Sequence, residues 1–105
     1  MSHPYVTIDL DKIEHNARVI VELCRAHGIA VVGVTKGTCG HPEIAQAMRR
    51  GGVSAIGESQ LKNIHRLKSA GVDPPYMLLR LPSPSEADEV VASVDVSLNS
   101  ELSVL

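Results

Sequence analysis

Lys36 is the residue whose setting most clearly suits chemistry. It ends the apolar run Ala30-Val31-Val32-Gly33-Val34-Thr35 and is followed at once by a small-residue turn, Gly37-Thr38-Cys39-Gly40. A run rich in β-branched residues and without clean alternation predicts a strand buried on both faces, as in parallel α/β sheets. Ligands of such sheets sit beyond the carboxyl ends of the strands. The sequence therefore places the amine of Lys36 in a site and its stem against apolar walls. Stripping water from a lysine amine frees its lone pair for attack on a carbonyl, which is how a Schiff-base lysine is prepared. The same position also suits a lysine that covers apolar surface with its stem and reaches solvent or a helix carbonyl with its amine.

Three further residues share the strand-end placement. Glu58 follows the second predicted strand, Arg80 nearly ends the third and Asn99 follows the fourth, so each can face a site at the carboxyl end of the sheet. Arg80 has the fork geometry to grip a carboxylate with two nitrogens. Strand residues alternate direction, so a one-residue change of register would turn any of the three toward the helices instead. Cys39 lies in the same turn as Lys36 and could line a pocket, but reads more readily as a buried or simply exposed thiol, whereas Cys24 falls on the apolar side of a helix and reads as a core thiol. The two cysteines show no zinc-like spacing, and the histidines at 3, 15, 27, 41 and 65 do not cluster with carboxylates, so no metal is expected. His41 reads as a helix-terminal loop residue; His15 and Asn16 read as ordering the first helix.

The elements that must position these residues follow from periodicity and punctuation. Tyr5 to Leu10 alternates as a lead-in strand, and Asp11 to Glu14 resembles a capping box. Ile13, Ala17, Ile20, Val21 and Cys24 then form one apolar helical stripe, ended by Gly28. After the Lys36 strand, Pro42 opens a helix carrying Ile44, Ala45, Ala47 and Met48, which Gly51-Gly52 stop. A strand from Val53 to Ile56 or Gly57 leads to a helix capped by Ser59, bearing Leu61, Ile64 and Leu67 and closed by Gly71. Tyr76 to Leu81 is the third buried strand. Ser83-Pro84-Ser85-Glu86 combines a cap, a proline at the first helical position and a glutamate at the third, and Val90, Val91 and Val94 line the helix it opens. Asp95 to Leu98 is the fourth strand, and Asn99-Ser100-Glu101 opens a last helix that stops in mid-turn.

Strict βα alternation with short connections implies a parallel sheet with right-handed crossovers. The fold class is α/β, and two architectures fit: a doubly wound domain with a switch point, or the first half of a (β/α)8 barrel, a fold that takes ~250 residues when whole. The interrupted last helix favours the half barrel. The 105 residues carry a formal net charge of −2, no basic stripe interleaved with aromatics, and only two aromatic residues, Tyr5 and Tyr76. Nucleic acid and anionic membrane are therefore not expected partners. No apolar stretch approaches the ~18 residues of a membrane span and no signal-peptide core is present, so a cytoplasmic protein is expected.

Four blocks in order carry a resemblance. Val6-Thr7-Ile8-Asp9-Leu10, continuing to His15-Asn16, resembles the opening of alanine-racemase-type enzymes, the fold-type III family dependent on pyridoxal phosphate. Val34-Thr35-Lys36, Met77-Leu78-Leu79-Arg80-Leu81-Pro82 and Val96-Ser97-Leu98-Asn99-Ser100-Glu101 resemble blocks of its ornithine-racemase-like branch. The resemblance covers essentially the whole chain. It implies that Lys36 is both the cofactor-binding and a catalytic residue, forming the internal aldimine with pyridoxal 5'-phosphate and then serving as acid/base on one face of the substrate Cα. The implied substrate is a small or basic amino acid such as alanine or ornithine, and the implied assembly is a homodimer. In this family the second acid/base is a tyrosine from the C-terminal domain of a partner subunit, which neither Tyr5 nor Tyr76 matches. Alanine racemases proper also carry a tyrosine four residues after the lysine that helps hold the phosphate; here that position is Gly40. Residues 1–105 thus resemble the N-terminal portion of the barrel, without the later strands and β-domain, and such a piece is expected to be inactive alone and prone to self-association at its strand edges. Two other readings stay open: a single-barrel carrier of pyridoxal phosphate, which shares the Val-Ser/Thr-Lys strand end and a pair like Gly57-Glu58, and an inert fragment.

Overall fold

The computed structural model describes residue 5 and residues 7–100, and its four strands run parallel in the order in which they occur in the chain. They are β1 (Val32–Val34), β2 (Ala55–Glu58), β3 (Tyr76–Leu78) and β4 (Val96–Ser97), with Gly33 opposite Ile56, Gly57 opposite Met77 and Leu78 opposite Ser97. A doubly wound sheet reverses its strand order at a switch point. No reversal occurs here, so the topology is that of the first four βα units of a (β/α)8 barrel.

The helices are α1 (Leu10–Arg25), α2 (Pro42–Arg50), α3 (Leu61–Ser69) and α4 (Ala87–Ser93). Between them and the sheet lies one core, including Val21, Ala45, Ile56, Leu61, Ile64, Leu67, Tyr76, Leu78 and Val90. Ile56, Tyr76 and Leu78 reach it from alternate strand positions. The opposite sheet face is open: Val34, Val96 and Leu98 are 45–50% exposed. The expectation that the Lys36 strand is buried on both faces therefore fails. Gly33 packs tightly toward Met48 of α2, while nothing among the described residues covers Val34.

The lead-in strand is also absent among the described residues: Tyr5 and residues 7–9 have no strand partner, and α1 already begins at Leu10. Its cap is Asp9 rather than Asp11, because Asp9 is extended (φ −99°, ψ 104°) and its Oδ1 accepts the Lys12 N–H at 3.2 Å. In α3, Gln60 occupies the cap position without a side-chain bond, since the hydroxyl of Ser59 is drawn to Glu58 instead. The capping box at Ser83 and Glu86 is present, but its first turn is 3₁₀ (Pro84–Glu86) before α4 proper. Val90 is buried, whereas Val91 points outward at 83% exposure. Asn99 and Ser100 are not helical, and Glu101 onward lies outside the described residues.

The α1–α2 contact depends on one glycine. Gly51 follows α2, and a Cβ there would sit 2.5 Å from Ala17 Cβ and 2.8 Å from the Glu14 carbonyl oxygen, both on α1. Glu14 ties the same helices together through Arg50 Nε at 2.6 Å, while Arg18 Nη2, on α1 itself, holds its carboxylate at 3.0 Å. These contacts, Arg50 foremost, hold its carboxyl below the ordinary range. Gly51→Ala must therefore push α1 away, and it is expected to lower stability in urea unfolding by about 1–3 kcal/mol. Gly37→Ala, which meets nothing within 4 Å, is expected to stay within about 0.5 kcal/mol.

Candidate active site

β1 hands the chain to a tight turn. Thr35 adopts φ −106°, ψ 3°, Lys36–Thr38 form one 3₁₀ turn, and Cys39 (φ 54°) and Gly40 (φ 65°) take left-handed conformations. The Thr35 carbonyl gathers this turn by accepting the N–H groups of Thr38 (3.0 Å) and Gly40 (3.1 Å) and the Thr38 hydroxyl (3.0 Å). At Gly40 a Cβ would lie 2.7 Å from Asn63 Cβ. The position where alanine racemases proper carry tyrosine therefore has neither the backbone angle nor the space for a side chain here.

Lys36 is exposed and borders a cleft of about 400 Å³ with Cys39, Gln60, Lys62, Asn63 and Arg66. Among the described residues no apolar walls surround its stem, contrary to expectation, because none of them covers the sheet face beside it. Its amine forms no ion pair among the described residues. Arg66 Nη1 donates to the Cys39 carbonyl at 3.3 Å, pinning α3 to the turn. Three cations thus line the cleft, and the first turn of α3 holds no acidic residue. Lys62 and Arg66 escaped the sequence reading; their i, i+4 spacing at the start of a helix that follows a strand end was the available signal.

The other strand-end candidates do not converge with Lys36. Glu58 lies on the helix side of the sheet, fully buried, and accepts the Thr35 hydroxyl at 3.0 Å. Arg80, on the same parity as buried Leu78, turns to Glu86 and holds it with two bonds (Nη1–Oε1 3.1 Å, Nη2–Oε2 2.8 Å). Asn99 donates to Ser97 Oγ at 2.8 Å and keeps a buried Oδ1 without a partner. Strand alternation turns Glu58 to the helix side, while Arg80 and Asn99 lie two residues beyond the last residues of β3 and β4 and turn to local partners. Among the described residues, no three His, Cys, Asp or Glu side chains are placed to hold a metal.

Arg80, with Ser83 N–H and hydroxyl behind it, holds the Glu86 carboxyl down at about 2. A depressed carboxyl stabilises the fold above its unfolded value of about 4.3 and loses that contribution as pH falls toward the folded value. Arg80→Met is expected to bring the Glu86 titration, followed by NMR, up toward the ordinary range. An unmoved titration would mean that Ser83 alone holds the carboxylate.

Sequential parallel βα units with a lysine just past the carboxyl end of the first strand define a class: part of a (β/α)8 barrel that presents Lys36 at its strand ends. Within that class the chain belongs to the alanine racemase N-terminal domain family, whose model matches residues 8–104. It is 45% identical over 101 residues to a lysine racemase of Thermotoga maritima, covering 96% of this chain and 28% of that protein. It is 34% identical over 103 residues to an ornithine racemase of Acetoanaerobium sticklandii, covering 98% of this chain and 29% of that protein. The solved alanine racemase of E. faecalis superposes with a TM-score of 0.71 at 25% identity, over 87% of this chain and 25% of that one. The chain therefore spans less than a third of the length of the relatives it matches. The resemblance carried by Val34-Thr35-Lys36 and the later blocks is borne out at the level of family and branch.

Proposed function

We propose that this chain is the lysine-bearing part of a pyridoxal 5'-phosphate-dependent amino-acid racemase, with Lys36 as cofactor anchor and as acid/base on one face of the substrate Cα. The observation that carries the reading is the unpaired amine of Lys36, presented by an ordered turn at the carboxyl end of β1 in a chain of this family. The residues present fit the cofactor: a free primary amine meets its aldehyde, and a cleft lined by Lys62 and Arg66 suits an anionic ligand. When bound, the cofactor supplies an electron sink for the carbanion left at Cα. Lys36 orients the reacting centre and moves the proton at its Nζ, and Thr35 and Thr38 keep its turn closed.

The names of the relatives support a basic amino acid, lysine or ornithine, as substrate, with alanine as the small alternative. The open sheet face and its exposed Val34, Val96 and Leu98 support a protein that works as a homodimer or with its remaining barrel strands in place. The test is Cα-proton exchange in D₂O with L-lysine, L-ornithine and L-alanine in the presence of pyridoxal phosphate. Deuterium entering Cα together with loss of optical rotation supports a racemase. Measured with the remaining barrel strands and partner subunit in place, cofactor capture without exchange would replace this reading by that of a carrier.

A further inference from the structure

The carboxyl group of Glu58 has 0% exposure and lies beneath the turn that carries Lys36. Its Oε2 accepts the Thr35 hydroxyl at 3.0 Å, and Thr35 is itself 0% exposed. Its Oε1 accepts the Ser59 N–H at 2.7 Å, the Gln60 N–H at 3.3 Å and the Ser59 hydroxyl at 3.3 Å. The Thr35 N–H meanwhile donates to the Gly57 carbonyl at 3.0 Å. One buried acid therefore joins the ends of β1 and β2, and Thr35 passes that restraint to the residues around Lys36 through its carbonyl.

Burying an acid is a poor way to gain stability, because desolvation offsets much of what its partners return, and an apolar pair of the same volume commonly does as well. Where such a group persists, its use is to fix one geometry. Glu58 does so next to the one lysine in the cleft that sits at a strand end. Thr35 also needs help: its backbone has left the extended region, while its carbonyl bears three donors. With its side chain free, the turn would exchange these bonds for water.

We infer that Glu58 is a positioning residue, which through Thr35 fixes the turn presenting Lys36 and so sets how readily that amine meets a carbonyl ligand. The inference rests on the reading of Lys36 as cofactor anchor, but its first consequence is visible without cofactor. Thr35→Val keeps shape and removes the hydroxyl; Thr35→Ser keeps the hydroxyl. In hydrogen exchange of the cofactor-free chain, Thr35→Val is expected to speed the Thr38 and Gly40 amides about tenfold, the loss of one bond to a buried acid, with the Leu67 amide unchanged. Thr35→Ser is expected to restore slow exchange.

With pyridoxal phosphate and borohydride, Thr35→Val and Glu58→Leu are each expected to slow labelling of Lys36 about tenfold relative to labelling of Lys62. The double variant is expected to do no more than either single one, because both remove the same link. Unchanged exchange at Thr38 and Gly40 in Thr35→Val, or additive losses in the double variant, would overturn the positioning role. If wild-type Lys36 takes no label at all, the cofactor reading falls instead, and the exchange measurement still decides whether Glu58 holds the turn.

Discussion

Lys36→Ala is expected to abolish covalent capture of pyridoxal phosphate at the barrel mouth and, with the rest of the barrel in place, to reduce Cα-proton exchange by about 10²–10⁴-fold from the lost proton transfer alone. The remaining lysines cannot take over the role. Lys62 shares the cleft but sits on the first turn of α3, displaced from the strand end that presents Lys36. Lys12 and Lys68 lie on α1 and near the end of α3. Added methylamine should recover part of the exchange in Lys36→Ala if the missing group is an amine in a cleft open to solvent. Exchange at the wild-type rate in the variant would remove Lys36 from the chemistry.

The largest stability effect is expected at the α3–sheet contact. Leu67 is fully buried beside Ile64 in the core beneath β2 and β3. Leu67→Ala removes that packing and leaves a void, at a cost of about 2–5 kcal/mol. In a sheet with one uncovered face that loss is a large share of the total stability, so the variant is expected to lose its unfolding cooperativity in urea. Val91→Ala, at a position equally apolar in sequence but 83% exposed, is expected to stay within about 0.5 kcal/mol. A Leu67→Ala cost as small as that of Val91→Ala would show that the core drawn around α3 is not the stabilising one.

The order of elements was legible because each boundary carried its own local chemistry. Pro42 stands at the first turn of α2, Gly71 at a positive φ of 81°, and Ser83 and Glu86 close their reciprocal cap. Where two residues offered the same chemistry, local signals could not choose. Asp9 and Asp11 are both plausible caps two positions apart, and only the extended backbone of Asp9 decides between them. Ser59 is an ordinary cap residue by type, but it lies next to a buried carboxylate that takes both its N–H and its hydroxyl. The expected lead-in strand rested on alternation through Val6, Ile8 and Leu10, which shows a preference for a half-buried surface without showing that a neighbour exists.

The site followed the same logic. The place of Lys36 just past β1 was readable because an apolar run and the small-residue turn after it mark where the strand stops. The facing of Glu58 was not, since a single residue of register separates the open face from the helix layer, and neither was that of Arg80 and Asn99, because β3 and β4 end two residues before them. The tether from Glu58 to Thr35 spans 23 residues of sequence and appears only when β1 and β2 are side by side. Gly40 gave a signal in the opposite sense: it departs from the alanine racemase pattern, and the close approach of Asn63 supplies the physical reason.

The most direct test of the central claim is to reduce the wild-type protein with borohydride in the presence of pyridoxal phosphate and to map the modified peptide by mass spectrometry. One dominant phosphopyridoxyl group is expected, on Lys36, formed well ahead of any on Lys12, Lys62 or Lys68. Labelling spread evenly over the four lysines, or concentrated on Lys62, would contradict it.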